Sequence, residues 1–301
     1  MKKLTILFLV FLFFGCDRTE TVKVDMIDQQ LVYISSRGNG FDLYKCDQDG
    51  TKEVQLTTQP GWDWGPRWWP AEMAILHYAQ DTAGNFSHKL IDFDGQPIEM
   101  DFQGLSDFIP APYKMSYALY TEKVGENSHV FLQDLSTRTA TDITPGDAYY
   151  GRPQWSIDGK SILMISDISG SQELHLYSME DQSLVQLTDG EGRAKYASWS
   201  PDGKQIAFTR EVLEEPKKDH DIYILNIETK DVTQLTDTPF GEQEISWSPM
   251  GDKIAYHGTI DGKDDIYTID IETKEVVKIT KGQGYHGEPV WIPIFETPKI
   301  Y

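Results

Sequence analysis

Eight side chains that could form a binding site stand at two fixed distances before a series of recurring tryptophans. Three or five positions before these tryptophans lie Trp64, Tyr150, Arg152, Tyr196, Glu242, Glu244, His286 and Glu288. Aromatic rings and arginine are the usual energetic anchors of binding sites. The constant spacing predicts that these residues, and Asp107 and Phe108 from a weaker copy, meet at one rim. The alternative interpretation is that they are solvated loop residues and packing aromatics.

Motifs that would indicate a cofactor or a catalytic centre lack their required context. Residues 282–287 match the glycine pattern of dinucleotide-binding loops, but no strand-to-helix transition is predicted around them. The Asp-x-Asp-Gly turns lack the downstream glutamate of a calcium loop, and no Gly-x-Ser-x-Gly elbow occurs. We therefore expect no cofactor, no metal and no catalytic residue. His77 and His257 occupy equivalent repeat positions, which favours hydrogen bonding in the core or between repeats over a shared metal.

The N-terminus has the pattern of a bacterial lipoprotein signal. Two lysines precede an apolar run at residues 4–14, which is shorter than the roughly 17–25 residues that a membrane-spanning helix needs. The run ends in Gly15 and Cys16, which resembles a lipobox, although Phe13 and Phe14 depart from the usual residues. Cys16 is the predicted lipidation site, and the multiple acyl chains would bind membrane tightly. The alternative is an ordinary signal peptide with a chance cysteine.

Two sequence markers recur along the chain in one register. A tryptophan followed by a turn occurs at Trp155, Trp199 and Trp247, with weaker copies at Trp69 and Trp291. An aliphatic residue followed by threonine occurs at Leu56, Ile143, Leu187, Leu235 and Ile279, with Met100 in the remaining slot. The gaps in this second series are 44, 43, 44, 48 and 44 residues. Two independent markers with one period indicate a tandem repeat.

Each repeat contains four short strands, which is the pattern of a β-propeller blade. The stretch from Leu31 to Thr57 supplies only three strands, and Glu288 to Trp291 supplies a lone first strand at the other end. Combining them closes a ring and protects the sheet edges. The sequence therefore predicts an all-β, six-bladed β-propeller. Its predicted bounds are 30–301, after a signal peptide at 1–15 and a polar tether at 16–29.

The repeats resemble those of the TolB propeller family. The resemblance rests on the Trp-Ser-Pro-Asp-Gly-Lys turn at 199–204, the Ile-Ala-Phe strand after it and the Asp-Ile-Tyr strand, and it covers roughly residues 30–293. Similar repeats occur in the propellers of prolyl-oligopeptidase-type peptidases. The resemblance implies a periplasmic protein that binds envelope partners. We expect neither the extra N-terminal domain of TolB nor a peptidase domain, so transferring the TolB role would be an analogy of fold.

The formal net charge of −21 limits the partners that the protein can bind. An acidic surface repels phosphate backbones, so we expect no nucleic-acid partner, and it disfavours docking on anionic lipid. The leading hypothesis is a lipoprotein of the bacterial cell envelope. It would bind a protein, peptide or glycan at the mouth of the propeller channel without catalysing a reaction.

Two hypotheses from other functional classes remain open. Some propellers with similar repeats are polysaccharide lyases that use a metal and histidine at the channel. His286 could serve such a metal-dependent enzyme on acidic polysaccharide, with Glu242, Glu244 and Glu288 as co-ligands or bases. The other hypothesis is a structural scaffold without a small ligand.

Overall fold

The chain forms a ring of six antiparallel sheets with four main strands each, which confirms the predicted six-bladed propeller. The computed structural model describes residues 5–6, 24–37, 40–100, 108–112, 116–190, 192–211 and 220–295. We number the blades 1 to 6 along the chain and the strands of each blade from the centre of the ring outward. Thr5–Ile6 pairs with the start of the second strand of blade 1, and a short 3-10 helix spans Pro70–Glu72.

The strand bounds follow the repeat. Blade 1 consists of His286–Phe295, Val24–Ser35, Asp42–Asp47 and Val54–Gln55. Blade 2 consists of Trp62–Trp69, Ala74–Gln80, Phe86–Ile91 and Pro97–Ile98. Blade 3 consists of Ile109–Pro110, Tyr117–Val124, Asn127–Asp134 and Thr139–Asp142. Blade 4 consists of Tyr150–Trp155, Ser161–Ser166, Glu173–Ser178 and Leu184–Gln186. Blade 5 consists of Arg193–Trp199, Gln205–Glu211, His220–Asn226 and Val232–Gln234. Blade 6 consists of Glu242–Trp247, Lys253–Ile260, Lys263–Asp270 and Val276–Lys278.

Blade 1 is closed by the C-terminal strand, as the sequence predicts. His286–Phe295 runs antiparallel to Val24–Ser35, so that Ser35 pairs with His286 at one face of the ring and Met26 with Phe295 at the other. Trp291 packs with residues of blades 6 and 1 in one buried cluster. The closing strand therefore joins the last blade to the first.

The second strand of blade 1 begins inside the segment that the sequence assigns to the tether. Met26 is buried and pairs with Phe295. The buried Gln29 amide donates to Asp252 Oδ1 at 3.2 Å and accepts the backbone N–H of Met250 at 3.0 Å. These contacts fix residues 26–29 against the turn of blade 6, which a polar composition alone did not indicate.

The aliphatic–threonine marker satisfies a buried backbone group. In five blades, the threonine hydroxyl accepts the backbone N–H of a third-strand residue at 2.7–3.3 Å. The pairs are Thr57 with Leu43, Thr144 with Val130, Thr188 with Leu174, Thr236 with Ile222 and Thr280 with Ile266. Because an unpaired buried N–H is costly, this bond explains why threonine recurs after the outer strand of these five blades.

The tryptophan–turn marker combines a rigid turn with a contact between blades. Ser200 Oγ donates to Asp202 Oδ1 at 2.7 Å and accepts the backbone N–H of Gln205 at 2.9 Å. In blade 4, Trp155 Nε1 donates to the carbonyl oxygen of Ile109 in blade 3 at 3.1 Å. The predicted packing of this tryptophan between adjacent blades is thus confirmed.

Some sequence predictions fall on parts of the chain that the structure does not describe. Cys16, Asp107 and the signal peptide at 1–15 apart from Thr5–Ile6 lie outside the described residues. Cys46 is buried beside Leu31 and Tyr44, as expected of a packed small hydrophobic residue. None of the helices within the described ranges has the length and apolar character needed to span a bilayer.

Candidate functional site in the central channel

β-Bulges interrupt the first strand of blades 1, 2, 4, 5 and 6. Three charged residues in these bulges have positive φ angles, namely Arg152 at 51°, Glu244 at 50° and Glu288 at 52°, and Gly65 of blade 2 has φ 63°. A left-handed backbone costs a residue with a Cβ roughly 1–2 kcal/mol. Bulges next to functional sites commonly re-aim a side chain. These conformations therefore mark the inner surface of the ring as a candidate site.

The bulged strands surround a central cavity of about 720 Å³. Four of the eight predicted site residues line it, one each from blades 4, 5, 6 and 1: Arg152, Tyr196, Glu244 and Glu288. Arg67, Trp68 and Tyr149 also line the cavity. The volume falls within the roughly 300–1,000 Å³ of small-molecule sites, so the cavity can hold a short segment but not a folded domain.

The other four predicted residues do not line this cavity. Tyr150, Glu242 and His286 are fully buried. The Tyr150 hydroxyl donates to the carbonyl oxygen of Pro145 at 2.6 Å. Trp64 is half-buried and stacks on Tyr78 with a centroid distance of 6.0 Å. These side chains pack within or between blades near the entrance of the channel.

The bulges explain this division. In an uninterrupted strand, residues two positions apart point to the same side, so Tyr150 and Arg152 would share one face. The register shift between Gly151 and Gln154 breaks this alternation, and Arg152 lines the cavity while Tyr150 stays buried. Pro66, Pro153 and Pro289 lie in these bulges, in agreement with the preference of proline for bulges and edge strands. Pro110 and Pro293 lie in first strands at regular pairs, so proline alone does not locate a bulge.

Contacts between neighbouring blades hold the four cavity residues in place. The Arg152 guanidinium lies 4.1 Å from the centroid of the Tyr196 ring. Glu244 Oε2 accepts the backbone N–H of Glu288 at 2.8 Å, and Glu288 Oε2 accepts the backbone N–H of Gly65 at 2.5 Å. Each contact links one blade to the next, so the side chains are fixed before a ligand arrives.

The charges around the cavity influence one another. Burial raises the pKa of Glu288, and the charge of Glu244 raises it further. The hydrogen bond from the Gly65 N–H and the positive charges of Arg67 and Arg152 lower it. Burial also raises the pKa of the Tyr196 hydroxyl, and Arg152 opposes that shift. Two carboxylates and two guanidinium groups thus act on the same enclosed space.

A tyrosine and a histidine contact the carboxylate of Glu244. The Tyr285 hydroxyl donates to Glu244 Oε2 at 3.4 Å, and His257 Nδ1 lies 3.7 Å from the same oxygen. His257 Nε2 lies 3.2 Å from Asp264 Oδ1. In blade 2, the equivalent His77 lies 3.2 Å from Asp63. Both histidines thus have carboxylate partners, and no cluster of three or more His, Cys, Asp or Glu suited to a metal occurs among the described residues.

Glu242 is buried against two threonine hydroxyls. Its Oε1 lies 2.6 Å from the Thr238 hydroxyl, which also lies 2.8 Å from the carbonyl oxygen of Phe240. An ionised Glu242 accepts the hydrogen of Thr238, whereas a protonated Glu242 can donate to Thr238, whose single hydrogen is then free for Phe240. Burial raises the pKa of Glu242 to about 7, and the bonds from Thr238 and Thr236 oppose this shift.

Comparison with known proteins identifies relatives of the fold. Residues 164–245 match the model of the dipeptidyl peptidase IV N-terminal region. An uncharacterized peptidase of Bacillus subtilis, YuxL, is 32% identical over 89 residues, which span 29% of this chain and 14% of that protein. TolB from Acinetobacter baumannii superposes with a TM-score of 0.68 and 22% identity, over 87% of this chain and 66% of TolB.

A propeller enzyme is also similar. An oligogalacturonate lyase in complex with manganese superposes with a TM-score of 0.54 and 14% identity, over 93% of this chain and 85% of the lyase. The chain spans less than two thirds of the length of YuxL and of the Acinetobacter TolB. At these identities the likeness concerns the fold, and the resemblance to TolB predicted from the repeats is confirmed at that level. The chain has the six-bladed propeller fold of the TolB structures.

Proposed function

We propose that this protein is a lipid-anchored binding protein of the bacterial envelope. Its propeller channel would take a protein segment, peptide or glycan without catalysing a reaction. The observation that supports this function is the convergence of Arg152, Glu244 and Glu288, each at positive φ, on one cavity. Backbone strain persists where the surrounding structure enforces it, often at ligand-binding sites. The TolB-like fold and the envelope signal in the sequence agree with such a role.

Loss of the Arg152 side chain is expected to weaken ligand capture. Arg152→Ala removes a central anchor, for which a cost of about 2 kcal/mol, or roughly 30-fold in Kd, is typical. Lys160→Ala and Lys204→Ala change exposed lysines beside the Asp-Gly turns of the opposite face and should bind like the parent protein. The measurement is a binding isotherm with ligands captured from envelope extract or glycan arrays. If the lysine variants lose binding while Arg152→Ala retains it, the site lies on the other face.

A second substitution separates binding from stability at the same position. Glycine adopts φ near 51° without the steric cost of a Cβ. The free energy of unfolding of Arg152→Gly should therefore exceed that of Arg152→Ala by about 1 kcal/mol. Both variants should lose binding to the same extent. Chemical denaturation of the two proteins measures the difference. Equal stability would mean that the backbone at this bulge is not strained.

The proposed lipid anchor has its own test. Cys16→Ser should abolish incorporation of a palmitate analogue and release the protein from membranes, because the thiol is the acylated group in the lipobox reading of Gly15-Cys16. Cys46→Ser is the matched control, since Cys46 is buried in the propeller. Label retained on the Cys16→Ser variant would remove the anchor from the proposal.

The second candidate is a metal-dependent enzyme acting on acidic polysaccharide, which the similarity to the manganese-bound lyase favours. Glu244 and Glu288 line the cavity and could act as a base or as co-ligands, whereas His286 is fully buried. Incubation with uronate polymers and Mn²⁺, followed by absorbance of unsaturated products, tests this function. Product formation that Glu288→Gln abolishes would replace the binding hypothesis.

A further inference from the structure

Arg152 lines the cavity without forming an ion pair among the described residues. Its guanidinium is exposed to the cavity, and within the described parts of the chain its contact is the face of Tyr196, with no ion-pair partner. The chain has a formal net charge of −21, so carboxylates are abundant, and an arginine that lines a cavity without an ion pair is unusual. Its N–H groups are available to an anionic group of a ligand.

Tyr196 holds the guanidinium in a defined orientation. The backbone N–H of Tyr196 donates to Thr209 Oγ1 at 3.2 Å, and its hydroxyl donates to Gln243 Oε1 at 3.3 Å. The guanidinium lies beside this ring and also interacts with the Tyr196 hydroxyl. Because a guanidinium carries five N–H donors in a planar fork, two others can match the two oxygens of one carboxylate. The pair is therefore built for a planar carboxylate rather than for a diffuse negative charge.

Glu244 and Glu288 limit how much negative charge the cavity accepts. Both carboxylates line the same cavity as Arg152. One oxygen of each accepts a single backbone N–H, from Glu288 and from Gly65. A ligand with several adjacent negative charges would be attracted by Arg152 and Arg67 but would also bring charge against this carboxylate pair, which repels it. A ligand with a single carboxylate can satisfy Arg152 and keep neutral or donor groups near the glutamates.

We propose that the channel recognises a peptide segment through one carboxylate bound to Arg152 and rejects polyanions such as polyuronates. This inference rests on the proposed binding function and names its ligand class. The carboxylate could be the C-terminus of the segment or an Asp or Glu side chain, since both offer the same pair of oxygens. A cavity of about 720 Å³ accommodates a few residues around that group.

The experiment is a competition on the immobilised intact protein. Three pools of N-acetylated tetrapeptides are mixed in equal amounts: neutral sequences with a free C-terminal carboxylate, the same sequences as amides, and amides with one glutamate. Mass spectrometry measures the enrichment of each pool. The parent protein should enrich one or both carboxylate pools about tenfold over the neutral amides, which is the lower end of the range for a hydrogen bond to a charged group. The more enriched pool identifies the source of the carboxylate.

Variants locate the effect. Arg152→Ala should bring all three pools to equal retention, and Arg152→Lys should retain only part of the preference, because lysine lacks the planar fork. Lys160→Ala should leave the enrichment unchanged. The double variant Glu244→Gln with Glu288→Gln should bind trigalacturonate more tightly than the parent protein does.

The outcomes separate this inference from the proposed function. Three results would overturn recognition of a carboxylate by Arg152. They are equal retention of the pools by the parent protein, no retention of any pool, and a preference that persists in Arg152→Ala. Capture of an envelope ligand that depends on Arg152 would still stand in those cases. The parent protein and the double glutamine variant are also compared for their affinity for trigalacturonate. Equal affinities would show that the two glutamates do not reject polyanions.

Discussion

A protein truncated before His286 will fail to unfold as a cooperative unit, rather than fray at one end. The deletion removes the first strand of blade 1 and the buried Trp291 and Ile292. Deleting a buried tryptophan or isoleucine side chain alone costs about 2–5 kcal/mol, and a typical domain has only about 5–15 kcal/mol of stability. Loss of the strand also exposes the edge of Val24–Ser35. Calorimetry and near-ultraviolet circular dichroism should show no sharp transition.

Two milder changes test the same closure. Trp291→Ala keeps the strand and should lower the free energy of unfolding by about 3–5 kcal/mol. Trp62→Ala is the matched control, since its side chain is 48% exposed, and it should cost much less. A truncated protein that melts at the same temperature and with the same sharpness as the full chain would show that the ring does not depend on its closing strand.

The stability of the protein should fall as the pH rises from about 4.5 to 7 because of Glu242. Its folded pKa, raised from 4.5 to about 7, means that the folded state binds a proton more tightly than the unfolded chain. The stabilisation is complete below pH 4.5 and is lost as the pH rises through 7. Above that pH, Glu242 no longer changes the stability. The shift corresponds to about 3 kcal/mol.

Glu242→Gln removes this dependence with little change in shape. The amide can donate to Thr238 and accept from Thr236, as a protonated carboxyl does. Denaturant unfolding at pH 5 and pH 8 should show the variant gaining about 3 kcal/mol relative to the parent protein at the higher pH. Glu228→Gln, at an exposed turn of blade 5, should follow the parent protein at both values. Parallel curves for Glu242→Gln and the parent protein would mean that Glu242 is ionised when folded.

The blade count and the ring closure were predictable because both depend on local patterns that recur. Thr57 and its counterparts satisfy a buried N–H, and Ser200 with Asp202 forms a turn, so each marker has a local physical cause. The direction of the site residues was less predictable. A constant distance from the tryptophan placed Tyr150 and Arg152 in one set, but alternation is interrupted between them. Pro153 lies within the interruption, but proline also occurs at regular pairs of first strands, as at Pro293, so it does not locate the bulge.

The buried contacts of the remaining site candidates could not be read from spacing. Glu242 is surrounded by Thr236 and Thr238, and His286 is fully buried with neither ring nitrogen in a protein hydrogen bond among the described residues. Burial of a polar side chain is decided by which neighbours satisfy it in three dimensions. A loop position in the repeat therefore predicts exposure only on average.

The direction of the second strand of blade 1 sets how an anchored molecule would stand on a bilayer. Val24–Ser35 enters at the face of the Asp-Gly turns, where Gln29 contacts blade 6, and ends at the channel entrance beside His286. Seven residues lie between Cys16 and Val24, and at full extension this segment reaches no more than about 30 Å. A lipid on Cys16 would hold the turn face toward the membrane and aim the channel entrance away from it. Ligands would therefore approach from the aqueous compartment or from an opposing surface, and lipids of the anchoring leaflet would not reach Arg152.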